Sequence, residues 1–505
     1  MHATTARTYP VIAVDGAGVV SHAGTALLSE VADRVGLTAA VSEALHGLRS
    51  RRSGHDPGRV IIDVAVAIGD GAETISDVQA LADQPEVHGP VASTATIWRV
   101  LERIDAGLLG GLRGARALAR ERAWAARGEL TGTELPPARA AGRDLPYAVI
   151  DLDATLVTAH SEKEGTAGTF KGGWGYHPLL AFLDNTNEAL AGILRPGKAG
   201  SNTAADHITV LELALAQLPD AHRHKPVLVR VDGAGFSHPL INYLAEAGLG
   251  YSVGFPTTAA VRDAIAALPV HVWRPAVTAD GGLREGADVA EITGLLTLGG
   301  WPAGMRVLVR RERPHPGAQL NVLEERDGYR YQAICTNTGR GPIPFLEARH
   351  RAHARVEDRI RCGKDTGIGR FPSRHMPINA AWLEAALTAT DLLAWTQTML
   401  LSGELARAEP KKIRYRLLHT APADNDASTC DWPATGPGHS PWPRRSPGSG
   451  SSRSRTEHPA AHHPDPPETP ATAPEPHPAP GRNLRGQTPD QDHQAKITGL
   501  LNDRG

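Results

Sequence analysis

The stretch YAVIDLDATLV, residues 147–157, places two aspartates inside an otherwise apolar run with β-strand character. Because side chains alternate along a strand, we expect Val149, Asp151 and Asp153 on one face. Two carboxylates on one face of a buried strand repel each other and lose hydration, which is costly without compensation. A bound divalent cation would provide it. The pattern therefore predicts a functional site; the alternative is a strand end with exposed aspartates.

The composition limits the class of protein. The chain has 505 residues, enough for two or three domains, and a formal net charge of -2. Lys and Arg exceed Asp and Glu only locally, most clearly in residues 301–420. The three cysteines form no CxxC pair, which fits a reducing cytosol. The N-terminus lacks a signal-peptide core and no window approaches a membrane span, so we expect a cytoplasmic protein with no membrane partner.

The order of elements around the first strand predicts an α/β fold. Apolar runs, caps and turns place strands and helices in the order β-β-β-α-β-α-β between residues 147 and 255. That order matches a ribonuclease-H-like mixed sheet, in which the first and fourth strands are neighbours. Asp153 lies inside the first strand and Asp232 at the tip of the fourth, so we expect these two side chains to lie close together.

Shifts in composition divide the chain into five predicted regions. These are a helical N-terminal DNA-binding domain (1–140), the first part of the catalytic core (141–256), a β-rich insertion (257–335), the second part of the core (336–420) and a disordered low-complexity tail (421–505).

A helix–turn–helix is one interpretation of the N-terminal region. The segments 75–81 and 93–104 predict two short helices, and the second would turn Thr96, Arg99 and Arg103 toward a DNA groove. An ordinary helical pair with a solvated basic face fits the same spacing.

Asp153, Asp232 and Glu357 form a candidate catalytic and metal-binding triad. Glu357 lies on a predicted basic helix, residues 344–366. Three carboxylates could hold two Mg²⁺ ions, with Mn²⁺ as a substitute, and promote attack of a water or a 3′-hydroxyl on a phosphodiester. Asp151 is a further candidate metal ligand, either beside Asp153 or in its place.

On these motifs the chain resembles the DDE transposases of bacterial insertion sequences, which have a retroviral-integrase-like catalytic domain; the most similar group is insertion-sequence family thirteen-eighty. The resemblance rests on DLDATL (151–156), KGGWGYHPLLAF (171–182), LRPGKAGSNTAADH (194–207), VRVDGAGFSHP (229–239) and RVEDRI (355–360) with Lys364. It implies that Asp153, Asp232 and Glu357 are the catalytic acids. It also implies a dimer that cleaves inverted-repeat ends and joins them to target DNA, at the bacterial nucleoid.

Basic residues around these motifs are candidate contacts to double-stranded DNA. Related transposases carry Tyr and Arg seven and four residues before the Glu, where this chain has His350 and His353. Lys364 is kept, and Arg355 is a candidate replacement for the phosphate contact. The predicted DNA-contacting residues are Arg99, Arg195, His353, Arg355, Arg361, Lys364, Lys411, Lys412 and Arg414.

Two other functions fit parts of the sequence. DLDATL matches the nucleophile motif of haloacid-dehalogenase-type phosphatases, with Asp151 as nucleophile and Asp153 as acid/base, but a late acidic pair is missing in the required order. A catalytically decayed transposase that only binds DNA is the second alternative, because the basic stretch at 411–420 runs into the low-complexity tail. Trp273 and Trp301 could stack on a flipped base or serve as core aromatics.

Overall fold

A computed structural model describes residues 21–49, 54–160, 162–314, 317–320 and 322–419 of the chain. The predicted disordered tail, residues 421–505, lies outside the described residues. Within the described ranges, no helix is both long enough and apolar enough to cross a membrane.

Helices and strands alternate only in the middle of the chain. The α-helices of the described ranges are α1 Ala26–Arg34, α2 Leu37–Ala44, α3 Pro57–Asp70, α4 Gln79–Ala82, α5 Pro85–His88, α6 Thr94–Glu102, α7 Ala106–Thr131, α8 Ala204–Leu215, α9 Asp220–Arg223, α10 His238–Glu246, α11 Ala259–Ala266, α12 Val322–Asp327, α13 Ile343–Arg351, α14 Arg355–Gly363, α15 Met376–Leu400 and α16 Pro410–Ile413. The strands are β1 Ala138–Ala140, β2 Arg143–Leu145, β3 Ala148–Ala154, β4 Val157–Thr158, β5 Ala167–Gly168, β6 Trp174–Tyr176, β7 Leu179–Leu183, β8 Ala189–Ile193, β9 Val227–Val231, β10 Gly250–Phe255, β11 Arg274–Val277, β12 Leu283–Glu291, β13 Arg306–Glu312 and β14 Arg330–Thr336.

The strand that carries the two aspartates, β3, lies inside a nine-stranded mixed sheet. The order of this sheet is β11-β12-β13-β14-β10-β9-β3-β7-β8. Strand β3 is antiparallel to β7 and parallel to β9, and β9 is parallel to β10. The succession β3, β7, β8, α8, β9, α10, β10 follows the predicted order, with the short strands β4, β5 and β6 added after β3 and the single-turn helix α9 added before β9.

The predicted β-rich insertion, residues 257–335, extends this sheet. Strand β14 pairs with β10, and β13, β12 and β11 follow outward as an antiparallel series. Its predicted strands are present, but they continue the hydrogen-bond ladder of the catalytic sheet. An open edge on β10 would expose unpaired backbone groups, and β14 covers it.

The N-terminal helices share one apolar core with α15. Leu28, Ile62 and Leu101 are buried in the same cluster as Trp382 and Leu392 of α15. Helix α3 is buried along its whole length, as its run VIIDVAVAI leads one to expect. The apolar core of the N-terminal helices therefore continues into α15, on the other side of the predicted boundary at residue 140.

Buried charges hold α7 against α15 and the edge of the sheet. Arg120 donates to Glu188 at 2.6 Å and also to Asp391, while Arg116 donates to Asp391 at 2.8 Å and to Glu384 at 2.5 Å. All five side chains are buried. Charges this deep are tolerated only when they are paired and hydrogen-bonded, so this network fixes the position of the long helices.

Candidate active site

Asp153 and Asp232 come together because their strands are parallel neighbours. Leu152 on β3 lies opposite Val231 on β9. Asp153 and Asp232 are the next residues along the two chains, so they occupy adjacent positions at the same end of the sheet. The backbone N–H of Gly235 donates to Asp232 Oδ1 at 2.9 Å and closes a tight turn after β9.

Two glycines make room for that turn. A Cβ atom at Gly235 would come within 2.4 Å of Val231 Cγ1, and one at Gly254 on β10 within 2.3 Å of the backbone nitrogen of Gly233. Contacts this short require something to move. The glycines therefore allow the backbone after β9 to pack closely against β10 and hold Asp232 in place.

Glu357 reaches the same region from α14, which packs against β3. Its exposed side chain and Asp232 both line a cavity of about 300 Å³. The carboxylates of Asp153, Asp232 and Glu357 are not drawn into a compact cluster, since their ligand oxygens do not all lie within 4.8 Å of one another. The structure thus brings the three predicted acids to one side of the sheet.

The local electrostatics disfavour a charged Asp153. Burial, and next the negative charge of Asp232, raise the pKa of Asp153 from its ordinary value of 3.8 to about 6. Glu357 adds to this effect, whereas the nearby His353 opposes it. Ionised acids held this close to one another form a site of negative potential, and a cation would relieve their repulsion.

Asp151 has a different environment from Asp153. Its Oδ1 accepts from Arg230 Nε at 2.7 Å and from His353 Nδ1 at 2.9 Å, and its Oδ2 accepts from Arg230 at 2.7 Å and from Arg359 at 3.0 Å. The side chain is fully buried. Although burial opposes ionisation, the charges and hydrogen bonds of Arg230 and His353 hold the pKa of Asp151 well below its ordinary value. Both oxygens of Asp151 are already bonded to cationic side chains, which argues against its predicted role as a metal ligand.

A second buried acid ties α14 to the sheet. Asp184 Oδ2 accepts from Arg355 at 2.5 Å and from Arg230 at 2.8 Å, and Asp184 Oδ1 accepts from Arg359. The basic residues that precede and follow Glu357 thus serve to position its helix. His353, predicted to contact DNA, is buried against Asp151 instead. Arg355 remains partly exposed.

Two further predicted DNA contacts have buried guanidinium groups, which argues against their binding phosphate. Arg195 donates to the carbonyl oxygens of His177 and Gly200 and to Asp206. Arg414 donates to the carbonyl oxygen of Gly69 at 2.9 Å, at the end of α3. Both arginines stabilise the chain internally, a role that composition alone does not distinguish from phosphate binding.

The other predicted contacts are accessible. Arg99 is exposed on α6. Three more lie at the surface in ion pairs with acids: Arg361 with Asp358 and Glu409, Lys411 with Asp365, and Lys412 with Glu404. Exposed ion pairs are weak, so they do not prevent these side chains from meeting a phosphate.

Lys364 lies beside the acids. Its Nζ donates to the carbonyl oxygen of Leu156 at 3.0 Å, just beyond the strand that carries Asp153. Burial and the charge of Lys171 lower the pKa of Lys364, while Asp153 opposes that shift. Lys364 therefore places a positive charge between the acidic site and the segment that follows β3.

That segment forms a small three-stranded ribbon, β4-β6-β5, that the sequence analysis did not identify as functional. Phe170 is 72% exposed and Trp174 45% exposed, and the Nζ of Lys171 lies 5.8 Å from the ring centroid of Phe170. Two exposed aromatic rings with an adjacent cation are unusual on a surface. The signal was present in GTFKGGWG (168–175), where aromatic and basic residues are interspersed with glycines and have no apolar neighbours to pack with.

The tryptophans proposed earlier as base-stacking residues are packed inside the fold. Trp301 contacts Phe236 and Phe255, and Trp273 lies under Arg311, whose guanidinium carbon is 4.3 Å from the ring centroid. Both are partly buried against the core of the sheet. The core-aromatic alternative is the one the structure supports.

The mixed sheet and the helices packed on it define an α/β protein. Its candidate active site consists of three acids on one side of the sheet. Residues 5–423 match the family described as Transposase DDE domain group 1. The chain belongs to this family, as its motifs predict, and not to the phosphatases, whose nucleophile would be the fully buried Asp151.

Comparison of structures finds a similar chain in the cryo-EM structure of a piggyBac transposase synaptic complex with hairpin DNA. The similarity covers 79% of this chain and 80% of that chain, with a TM-score of 0.41 and 11% sequence identity. No curated protein gives a significant match to this sequence.

Proposed function

We propose that this chain is an active transposase that cleaves DNA at the inverted-repeat ends of its element and joins the freed ends to target DNA, with Asp153, Asp232 and Glu357 as the catalytic acids. The observation that carries the proposal is the register of β3 and β9, which sets two of these acids side by side. The strand order β8-β7-β3-β9-β10 supports a ribonuclease-H-like catalytic core.

The three acids suit a hard divalent cation. Carboxylate oxygens are the ligands that Mg²⁺ and Mn²⁺ prefer, and burial together with the charges of Asp232 and Glu357 raises the pKa of Asp153, which a bound cation would counteract. Their spread beyond 4.8 Å fits two ions about 3.5–4 Å apart better than one ion. When bound, such ions would lower the pKa of the attacking water or 3′-hydroxyl and stabilise the leaving oxygen of the phosphodiester.

The rest of the site would position these groups. Asp151 and Arg230 would keep β3 and β9 in register, and Arg359 would hold α14 so that Glu357 faces the two aspartates. Because these contacts are buried and charge-assisted, they preorganise the acids before DNA arrives.

DNA would approach across the basic and aromatic surface next to the acids. Lys364 and Lys171 would neutralise phosphates, and the exposed rings of Phe170 and Trp174 would stack on bases unpaired at the cleavage point. Arg99 on α6 is the remaining N-terminal candidate contact. Because two element ends must be held together, we propose a dimer on double-stranded DNA.

The motifs favour an element of insertion-sequence family thirteen-eighty acting at the bacterial nucleoid. The test is strand cleavage of a plasmid that carries the gene's own flanking DNA, in Mg²⁺ or Mn²⁺, by the wild type and by Asp153→Ala and Asp232→Ala. Asp358→Asn is a matched control, because Asp358 is an exposed acid on α14 next to Glu357.

Site-specific cleavage by the wild type and Asp358→Asn, lost in the two alanine variants, is the expected result. If the wild type binds the flanking DNA but does not cut it with either metal, the copy is a binding-competent relic and the proposal of an active enzyme is wrong. If the alanine variants cut normally, the assignment of the acids is wrong.

A further inference from the structure

Three side chains far apart in sequence converge at the C-terminal end of α3. His22 Nδ1 lies 2.6 Å from Asp70 Oδ2, and His419 Nε2 lies 3.1 Å from Asp70 Oδ1. The two imidazole rings stack with their centroids 4.0 Å apart. Among the described residues, no other group of three His, Cys, Asp or Glu side chains has its ligand atoms all within 4.8 Å of one another.

The negative charge of Asp70 is unfavourable at its position in the fold. Asp70 is the last residue of α3, where the partial charge of the helix is negative, and it is almost completely buried. Neighbouring donors compensate in part: Thr25 Oγ1 donates to Asp70 at 2.5 Å, and the Arg414 guanidinium lies nearby on the last carbonyls of the helix. One oxygen of Asp70 and one nitrogen of each imidazole nevertheless lie close enough together to be reached by a single cation.

The surrounding backbone holds the cluster together. Gly24, two residues after His22, packs so tightly on the segment before His419 that a Cβ there would come within 2.1 Å of the Leu417 carbonyl oxygen. His22 and His419 are 31% and 35% exposed, so an ion could reach the cluster from solvent. The backbone contact therefore holds the two histidine-bearing segments together, while the imidazole rings stay accessible to solvent.

We propose that His22, Asp70 and His419 bind a late first-row divalent cation, Zn²⁺ in particular. Two imidazole nitrogens and one carboxylate oxygen form a common ligand set for this ion, with a water in the fourth position. Ligand atoms about 2.1 Å from a tetrahedral ion lie about 3.4 Å apart. One ligand atom from each of the three side chains already lies within 4.8 Å of the other two, so small side-chain movements would complete the site. This site is distinct from the three catalytic acids and does not depend on the proposed function.

A metal here would join the beginning and the end of the described fold. His22 precedes α1 and His419 follows α16, so the ion would fasten both segments to α3. Because the ligands come together only in the folded chain, binding would stabilise the fold. The inferred role is structural, with the metal closing the helical layer beneath the catalytic sheet.

The test titrates full-length wild type, His22→Gln and His419→Gln with ZnCl₂ and measures the melting temperature of each protein at each concentration. His271→Gln is the matched control, since His271 is an exposed histidine remote in sequence from the cluster. Asp232→Ala reports on binding at the catalytic acids. Because the tail contains further histidines, the readout is the difference between variants and not the total metal content.

We expect Zn²⁺ to raise the melting temperature of the wild type, His271→Gln and Asp232→Ala by a few degrees, and to have no such effect on either cluster variant. Co²⁺ should give the visible absorption of a four-coordinate site in the same three proteins only. The proposal would be overturned if Zn²⁺ raised the melting temperatures of His22→Gln and His419→Gln as much as that of the wild type, or did not raise that of the wild type. The three side chains would then only hold their segments together by hydrogen bonds. Should one cluster variant fail to fold, the other and the Co²⁺ spectrum still decide.

Discussion

Asp151 and Arg230 lie directly opposite each other on the parallel strands β3 and β9, joined by two hydrogen bonds of 2.7 Å and completely shielded from solvent. Two residues further along each strand stand Asp153 and Asp232. The ion pair and the acids therefore share one face of the sheet, and the pair sets the alignment on which the distance between the acids depends.

The first prediction concerns the ion pair. Asp151→Asn should lower the free energy of unfolding by about 3–5 kcal/mol, because it leaves Asp184 as the one carboxylate that is paired with the buried guanidinium groups of Arg230 and Arg359. Urea denaturation at pH 7 measures this loss. Asp358→Asn, an exposed acid on the same helix as Arg359, should change the stability by less than about 0.5 kcal/mol. Equal effects of the two substitutions would contradict the structural role of Asp151.

Asp153→Asn should have the opposite effect on stability. The pKa of Asp153 is raised to about 6 in the folded chain, so its ionisation weakens the fold progressively from about pH 4 to pH 6, and the loss persists above that range. A neutral Asn avoids the loss. The metal-free variant should be more stable than the wild type at pH 8 by roughly 2–3 kcal/mol and nearly equal to it at pH 4.

Urea denaturation in EDTA at both pH values tests this sign. A variant no more stable than the wild type at pH 8 would show that Asp153 is not held among like charges. Addition of Mg²⁺ or Mn²⁺ should stabilise the wild type more than the variant, because the ion would have a carboxylate to bind only in the wild type.

Removal of a carboxylate should abolish catalysis without unfolding the protein. Asp232→Asn and Glu357→Gln should each lower the rate of strand cleavage by more than about a hundredfold, since loss of even a neighbouring group costs metal sites ten- to a hundredfold. Binding of the element's ends, measured in Ca²⁺, should persist. If either variant cleaves at a rate near that of the wild type, that residue is not one of the catalytic acids.

The aromatic ribbon should contribute to DNA binding. Phe170→Ala and Trp174→Ala should each weaken binding of a DNA end with unpaired bases by about 1–3 kcal/mol, the range for a base stacked on an aromatic ring. Stability should change little because Phe170 is 72% exposed and Trp174 45% exposed. Leu283→Ala, an equally exposed apolar residue on β12, is the control and should bind normally. Unchanged affinity in both ribbon variants would place the DNA elsewhere.

The charged network under α15 should govern the stability of the helical layer. Arg120→Met should lower the free energy of unfolding by about 3–5 kcal/mol, because Glu188 and Asp391 then remain buried without this partner. Thermal or urea unfolding measures the loss. Arg122→Met, an exposed arginine on the same helix, should have almost no effect; a comparable loss there would show that the network is not responsible.

Local pattern was enough to predict the central strands and their order. Alternation and turn residues placed the strands of 147–157, 178–183 and 189–194 close to where β3, β7 and β8 lie, because those elements form from contacts within a short stretch of chain. The motifs also predicted the family, and the candidates Asp153, Asp232 and Glu357 do converge on one side of the sheet.

The tertiary structure alone decided which charged side chains face solvent. Asp151 and Asp153 are two residues apart and look equivalent in sequence, yet one is enclosed by Arg230, His353 and Arg359 and the other is not. Arg195 and Arg414 likewise resemble phosphate-binding residues but are buried in internal hydrogen bonds. Burial and partners come from segments distant along the chain, so local composition cannot reveal them.

The same reason explains the domain boundaries and the His–Asp–His cluster. Residues 257–335 extend the catalytic sheet because β14 pairs with β10 although three strands and two α-helices separate them along the chain. His22 meets His419 only when both ends of the fold pack on α3. The sequence by itself determined the local elements and the family motifs, and it supplied the three acids as candidates. Long-range packing decided the extent of the sheet, the pairing of buried charges and the side chains left free to bind metal or DNA.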